Sequence, residues 1–209
     1  LPERLNVNPN RMELLKLKRR LVIARRGHKL LKDKFDELMK RFLLVVRESR
    51  ALRREIEAEL YGAHQIFALA RSEVSTSELE EALSFPKANM NLEVKKVNLM
   101  SVLVPEFEIK REGGFDCYGF ATTPTLFDES LKRFEELVPK MVALAEKESA
   151  VMMLADEIEK TRRRVNALEY VLIPQLEDTI RYITMKLDEF ERANLTRLMK
   201  IKEMVAGEI

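Results

Sequence analysis

From Leu14 the chain can be written in steps of three and four residues, through Leu17, Leu21, Ala24, His28, Leu31, Phe35, Leu38, Phe42, Val45, Ser49, Leu52, Ile56, Glu59, Ala63, Ile66 and Ala70, with no proline in the run. Residues at this spacing line one side of an α-helix, and a repeat kept for roughly eight heptads is the pattern of a coiled coil rather than of a short globular helix. No other feature constrains the fold as much, because a helix of that length carries an apolar stripe that it cannot bury on itself. Asn8 followed by Pro9 reads as its start, since asparagine caps free amides and proline costs nothing in the first turn. The pattern fails after about residue 80, so the spacing predicts a first long helix over 8–82.

SFPKAN at 84–89 reads as a stop, and the next segment alternates instead, with Leu92, Val94, Val97, Leu99, Val102 and Val104 ahead of Pro105. FEIK, the turn-like REGG and the glycine-interrupted FDCYGF at 115–120 complete a stretch suited to short strands joined by a hairpin. Helical spacing resumes at TPTLFDES, where Thr123 or Thr125 can cap and Asp128 suits the first turn. It continues through Leu131, Phe134, Val138, Met141, Ala145, Val151, Leu154, Ile158, Thr161, Val165, Leu168, Leu172, Leu176, Ile180, Ile183, Leu187, Phe190, Asn194, Leu198, Ile201 and Val205. Steps of four at 172, 176 and 180 resemble a stutter, and Pro139 and Pro174 are expected to bend or break this helix. The expected fold is therefore mainly α: a long antiparallel two-helix coiled coil from 8–82 and 124–206, with a short β-hairpin insert at 88–121. Dimerisation between chains is the alternative that spacing alone leaves open.

Six glycines, seven prolines and no tryptophan agree with long helices, and 46% hydrophobic with 34% charged residues is too apolar for disorder. Cys117 is the only cysteine, which excludes an intrachain disulfide and a cysteine-only metal site and fits a reducing compartment. No run approaches 18 uncharged apolar residues and the first residues lack the succession of a signal peptide, so the reading is of a cytoplasmic protein without a transmembrane segment.

Chemistry is hard to place on such a chain. His28 falls on the seam, His64 lies 36 residues later, and no ligand pattern surrounds either, so no metal is expected. Neither GxxxxGK[ST] nor GxGxxG occurs, so no nucleotide cofactor is expected, and the glycine pair at 113–114 reads as turn chemistry. Glu80, Glu81, Glu157 and Glu159 read as solvated helix surface rather than acid–base groups. Residues 11–50 hold fourteen Lys or Arg against five Asp or Glu, whereas 128–160 hold nine acids against five bases. A net charge of +2 and the lack of aromatic positions among the basic runs argue against a nucleic-acid binder. Arg162, Arg163 and Arg164 point about 100° apart on a helix, which suits either a solvated face or directional contacts with carboxylates of a surrounding protein. Leu15, Leu30, Leu43, Leu44, Val46, Met152, Met153, Leu172 and Ile173 exceed what one seam can hide, and such a surplus marks partner surface.

NPNRMELLKLKRRLVIARRGHKLLKDKFDELM at 8–39 and EIEKTRRRVNALEYVLIP at 157–174 resemble the D subunit of the archaeal and bacterial A/V-type rotary ATPases, and the likeness extends over essentially the whole chain. The resemblance implies a non-catalytic central-stalk shaft that transmits torque between ATP hydrolysis or synthesis and a membrane ion-translocating ring. Its implied partners are the A and B subunits of the catalytic hexamer, the small central-stalk F subunit, and the rotor-cap C/d subunit at the membrane end, with no nucleic acid. It implies a place on the cytoplasmic side of the cell membrane, in the peripheral sector of the complex. On this reading the candidate hexamer contacts are Met12, Lys16, Arg19, Arg20, Arg25, Arg26, Arg162, Arg163, Arg164 and Asn166. The candidates for contact with the small F subunit are Leu43, Leu44, Val46, Met141, Met152 and Met153. The competing class is a stand-alone coiled-coil scaffold or tether, which would tolerate charge changes near residue 163.

Overall fold

A computed structural model describes residues 5–84, 87–114, 119 and 123–206. The fold is mainly helical, with one long helix and a small antiparallel β-hairpin. In chain order the elements are α1 (Arg11–Glu73), α2 (Thr76–Leu83), β1 (Asn89–Leu99), β2 (Val102–Glu112), α3 (Thr125–Asn166), a π-helical segment (Ala167–Leu172) and α4 (Ile173–Ala206). The chain divides into two compact units, Leu1–Glu37 with Glu159–Ile209, and Leu38–Ile158. They are called the terminal and the central unit below.

In the terminal unit the start of α1 packs on α4. Leu17, Ala24, Leu176 and Ile183 are buried together, with Leu14, Leu21, Leu172, Ile180 and Leu187 around them. Residue order is opposed in the two helices, because Arg25 bonds to Glu177 at 2.7 Å while His28 reaches Glu169 at 3.3 Å. Ahead of α1, the Asn10 carbonyl accepts from the Leu14 N–H and so begins the helical ladder. Leu5 N–H donates to Thr179 Oγ1 at 3.2 Å, and that hydroxyl donates to the Gln175 carbonyl at 2.6 Å. The segment before the helix is thereby held on α4.

In the central unit α1 packs on α3 through Ile56, Ala63 and Leu137, flanked by Leu60, Phe134 and Leu144. Ala63 and Ala70 are fully buried, small residues that let the backbones approach. Phe67 meets Phe127 and Phe134, both at 6.2 Å between ring centroids, and His64 sets its ring edge on Phe134 at 5.2 Å. Ion pairs cross the two helices: Glu48 with Lys147 at 2.8 Å and Arg53 with Glu148 at 2.6 Å, then, later in α1 but earlier in α3, Glu59 with Lys140 at 2.5 Å, so the helices run antiparallel. Hydrogen bonding to Glu59 raises the Lys140 pKa above the ordinary lysine value.

Sixteen of the seventeen α1 seam positions are buried or half-buried; Glu59 is the exposed exception and holds Lys140 instead. The seam expected on α3 needs correction. Met141 and Ala145 are exposed, and the inward residues are Phe127, Phe134, Leu137 and Leu144. Helix α3 also runs through Pro139 without interruption, whereas the π-helical segment ends two residues ahead of Pro174. There the Ile173 N–H bonds to the Leu168 carbonyl five residues back. Proline lacks the amide that an α-helical ladder would require next, and a π turn absorbs that mismatch.

Helix α2 is started by Ser75, whose hydroxyl accepts from Glu78 N–H while the Glu78 carboxylate accepts from Ser75 N–H, a reciprocal cap that contributes about 1 kcal/mol. The hairpin reverses at Met100 and Ser101, with φ of 54° and 72°. The Asn98 side-chain oxygen accepts from Ser101 N–H at 2.8 Å and supports the turn. REGG is therefore not the hairpin turn: it ends β2, and FDCYGF lies outside the described residues apart from Gly119. Pro105 sits inside β2 opposite Lys96, where no ladder hydrogen bond is needed. Gly113 has φ +88°, and a Cβ there would collide with the Lys87 carbonyl. Replacing it with alanine is expected to cost about 1–3 kcal/mol, read as faster amide exchange confined to β1 and β2; unchanged exchange would contradict this.

The hairpin rests on α3 through β2. Phe107 N–H donates to the Glu146 carboxylate at 3.1 Å, Arg111 pairs with Glu135, and Pro105, Phe107 and Ile109 are half-buried. Its other face carries Glu93 with Lys110 and Lys95 with Glu108; the hydrogen bond to Lys95 holds the Glu108 carboxyl below its ordinary pKa.

Candidate partner-binding surface

The arginine triplet of α3 is placed by its neighbours. Thr161 and Val165 are buried four residues apart, so the three positions between them cannot reach the seam. Arg162, Arg163 and Arg164 are all exposed, as is Asn166. Arg163 is tied to Glu159 one turn earlier, whereas Arg162 and Arg164 have no carboxylate within ion-pair distance among the described residues.

The first-helix candidates divide in the same way. Met12, Lys16, Arg19, Arg20, Arg25 and Arg26 are all exposed. Lys16 holds Glu13 at 2.8 Å, and Arg25 holds Glu177 across the seam, so both cations already have partners. Arg19, Arg20 and Arg26 have none among the described residues. Turned away from the seam, Met12, Leu15, Arg19, Ile23, Arg26 and Leu30 recur at steps of three and four and form a second stripe, with Met12, Ile23 and Leu30 about 70% exposed. Ile23 is not among the candidates that the sequence singles out, although its spacing from Arg19 and Arg26 is the signal that finds it.

By units, charge is segregated. Residues 1–37 and 159–209 carry 21 Lys or Arg against 14 Asp or Glu, and residues 38–158 carry 16 against 21. All of these basic candidates lie in the terminal unit.

Of the residues expected to meet the small stalk partner, Leu43, Leu44, Met141, Met152 and Met153 are exposed and Val46 is half-buried. Val46 and Met152 share a groove in the central unit with Phe42, Ser49, Arg50, Arg53, Glu148 and Val151. The other four do not line it. A further surface was hidden by the heptads: residues 188–205 of α4 are all exposed, including the seam positions Phe190, Leu198, Ile201 and Val205. Past Leu187 the apolar repeat continues with no described segment against it.

Among the described residues, no group of three or more His, Cys, Asp or Glu could hold a metal ion, and no helix is long and apolar enough to cross a membrane. His28 is engaged with Glu169 and His64 with Phe134. Long helices with buried seams, a basic outward face and apolar stripes left uncovered among the described residues define a helical protein built for contact with other proteins. A family model for the ATP synthase D subunit matches residues 13–203. The chain is 60% identical over 203 residues to the V-type ATP synthase D subunit of Thermoanaerobacter sp. (strain X514), covering 96% of this chain and 97% of that one. It is 53% identical over 207 residues to the V-type ATP synthase D subunit of Clostridium botulinum (strain Langeland / NCTC 10281 / Type F), covering 97% and 96%. The chain belongs to the ATP synthase D-subunit family, the non-catalytic central-stalk shaft of V/A-type rotary ATP synthases.

Proposed function

We propose that the α1 pairing in the two units forms successive stretches of one antiparallel two-helix coiled coil, spanning 8–82 and 124–206, with the hairpin region 88–121 as an insert. This coil turns inside a hexamer of A and B subunits. Packed seam contacts resist twisting because interiors have little free volume to yield, so torque applied at one end is delivered at the other. The small F subunit occupies the exposed apolar positions Leu43, Leu44, Val46, Met141, Met152 and Met153, and the rotor-cap C/d subunit takes the membrane-facing end. The assembly lies in the peripheral sector on the cytoplasmic side of the membrane.

Coupling is a population shift. The shaft is asymmetric and the surrounding hexamer nearly threefold, so each A/B interface meets a different face and is biased toward a different nucleotide state; by linkage, a change of nucleotide moves the shaft. The residues that make these contacts are Met12, Arg19, Arg20, Arg26, Arg162, Arg164 and Asn166, with Lys16, Arg25 and Arg163 shared with their own carboxylates. The observation that carries this reading is the set of exposed arginines in one unit without a carboxylate of their own among the described residues.

Opposite charges separated by water are screened within about 8–10 Å at physiological salt, so association of the chain with the A/B hexamer is expected to slow about tenfold or more between 50 and 500 mM salt. Stopped-flow mixing of labelled chain with hexamer measures this. A rate independent of salt would remove the arginines from the encounter.

A further inference from the structure

Strand β1 has one edge bonded to β2 and, among the described residues, one edge open. Which groups face the open edge follows from the turn: Leu99 and Val102 flank a two-residue reversal, so they form a hydrogen-bonded pair, and bonded and non-bonded pairs alternate from there. The N–H and C=O groups of Met90, Leu92, Val94, Lys96 and Asn98 therefore point away from β2. On β2 the same count turns Pro105 and Phe107 outward, as observed: Pro105 needs no bond, and Phe107 N–H is taken by Glu146 of α3. The edge of β2 is taken at Phe107, and among the described residues nothing is hydrogen-bonded to the outward edge of β1. Ten of the eleven β1 residues are exposed. Met90, Leu92 and Val94 lie 45%, 50% and 55% exposed on the same face as the half-buried Phe107 and Ile109. A long open edge with apolar side chains is a template for another strand.

We propose that β1 pairs antiparallel with β1 of a second copy, about a twofold axis through Val94. The side chains select this register. With the axis at Val94, each Glu93 lies directly opposite the Lys95 of the other copy, and Val94 meets Val94. Moving the axis to Glu93 sets two carboxylates opposite each other, and moving it to Lys95 sets two ammonium groups opposite, both of which are destabilising. The pairs within each copy, Lys110 with Glu93 and Lys95 with Glu108, lie on that same face. They extend the contact into a ladder of alternating charge: Lys110, Glu93, then Lys95 and Glu108 of the second copy. A single added strand pair buries much less than the roughly 1,200–2,000 Å² of a stable interface, so the dimer is weak and concentration-dependent. This inference concerns the free chain and does not rest on the shaft reading.

The test is sedimentation equilibrium of the full chain from about 1 to about 200 µM, the range in which micromolar association is resolved. The mass is expected to rise from one chain toward two. Val94→Lys and Val94→Glu each place like charges on the axis and are expected to remain monomeric, while an equimolar mixture of the two re-forms a dimer. Val94→Pro removes only an outward amide, as Pro105 does naturally on β2, and is expected to abolish association with the hairpin signals intact. A chain monomeric throughout, a mixture that does not re-form the dimer, or a dimer unaffected by Val94→Pro would overturn the proposal. So would a monomeric chain whose Val94→Pro variant loses co-purification with another protein of the stalk or hexamer, because the edge would then serve a strand of that partner.

Discussion

Alanine in place of Leu176 is expected to destabilise the terminal unit by about 2–5 kcal/mol. Leu176 is fully buried against Leu17, Ala24 and Ile183. Removing its isobutyl group forfeits the transfer free energy and leaves a cavity, and the two backbones cannot close on it because Leu21, Leu172 and Ile180 hold their spacing on either side. Urea unfolding followed by helix circular dichroism gives the magnitude. Amide exchange localises it, with faster exchange in residues 14–28 and 168–187 and little change in the central unit. Leu198→Ala is the control: that side chain is 62% exposed, and its truncation is expected to change stability by less than about 0.5 kcal/mol. Equal losses at the two positions would mean that the seam observed between α1 and α4 is not what holds this unit.

Joint replacement of Arg162 and Arg164 by alanine is expected to weaken binding to the A/B hexamer by at least about tenfold, with a matching loss of shaft-stimulated ATPase. Truncating one partner of a desolvated charge pair commonly costs about 2–5 kcal/mol, of which only part is retained where water still reaches the site. Arg25→Ala provides the contrast. Its guanidinium is already bonded to Glu177, so its loss is expected to disturb the terminal unit slightly and the complex less than the Arg162 and Arg164 pair does. Equilibrium binding and turnover, measured on the same preparations with circular dichroism to confirm folding, separate these effects. An unchanged affinity for the Arg162 and Arg164 variant, with folding intact, would assign the triplet to a solvated face.

How far the residues announce this structure depends on whether each feature is set by local spacing or by what lies opposite. The α1 stripe is legible because its periodicity is uninterrupted and nearly every position finds cover. The hairpin reversal is not, since Met100 and Ser101 carry none of the glycine that marks such turns, and their positive φ is supported by the Asn98 side chain instead. The glycines at 113–114 point to the wrong place for it. The phase of α3 is misleading around Met141 because the apolar residues there are divided between α1 and an outward face, and spacing alone does not say which set faces inward. At the end of α4 the difficulty is reversed: Phe190, Leu198 and Ile201 keep a good repeat, yet no described segment lies against them. Among the candidate contacts, exposure is legible from charge, whereas the internal partners of Lys16, Arg25 and Arg163 are not.

On the proposed function, this chain turns inside the hexamer that handles ATP. That rotation is tested most directly by immobilising a complex of the A and B subunits with one copy of this chain, attaching a probe to the hairpin region, and recording the probe while ATP is supplied. Continuous one-way rotation in threefold steps that stops when ATP is exhausted is the expected result. A stoichiometric complex that hydrolyses ATP while the probe stays still would contradict it.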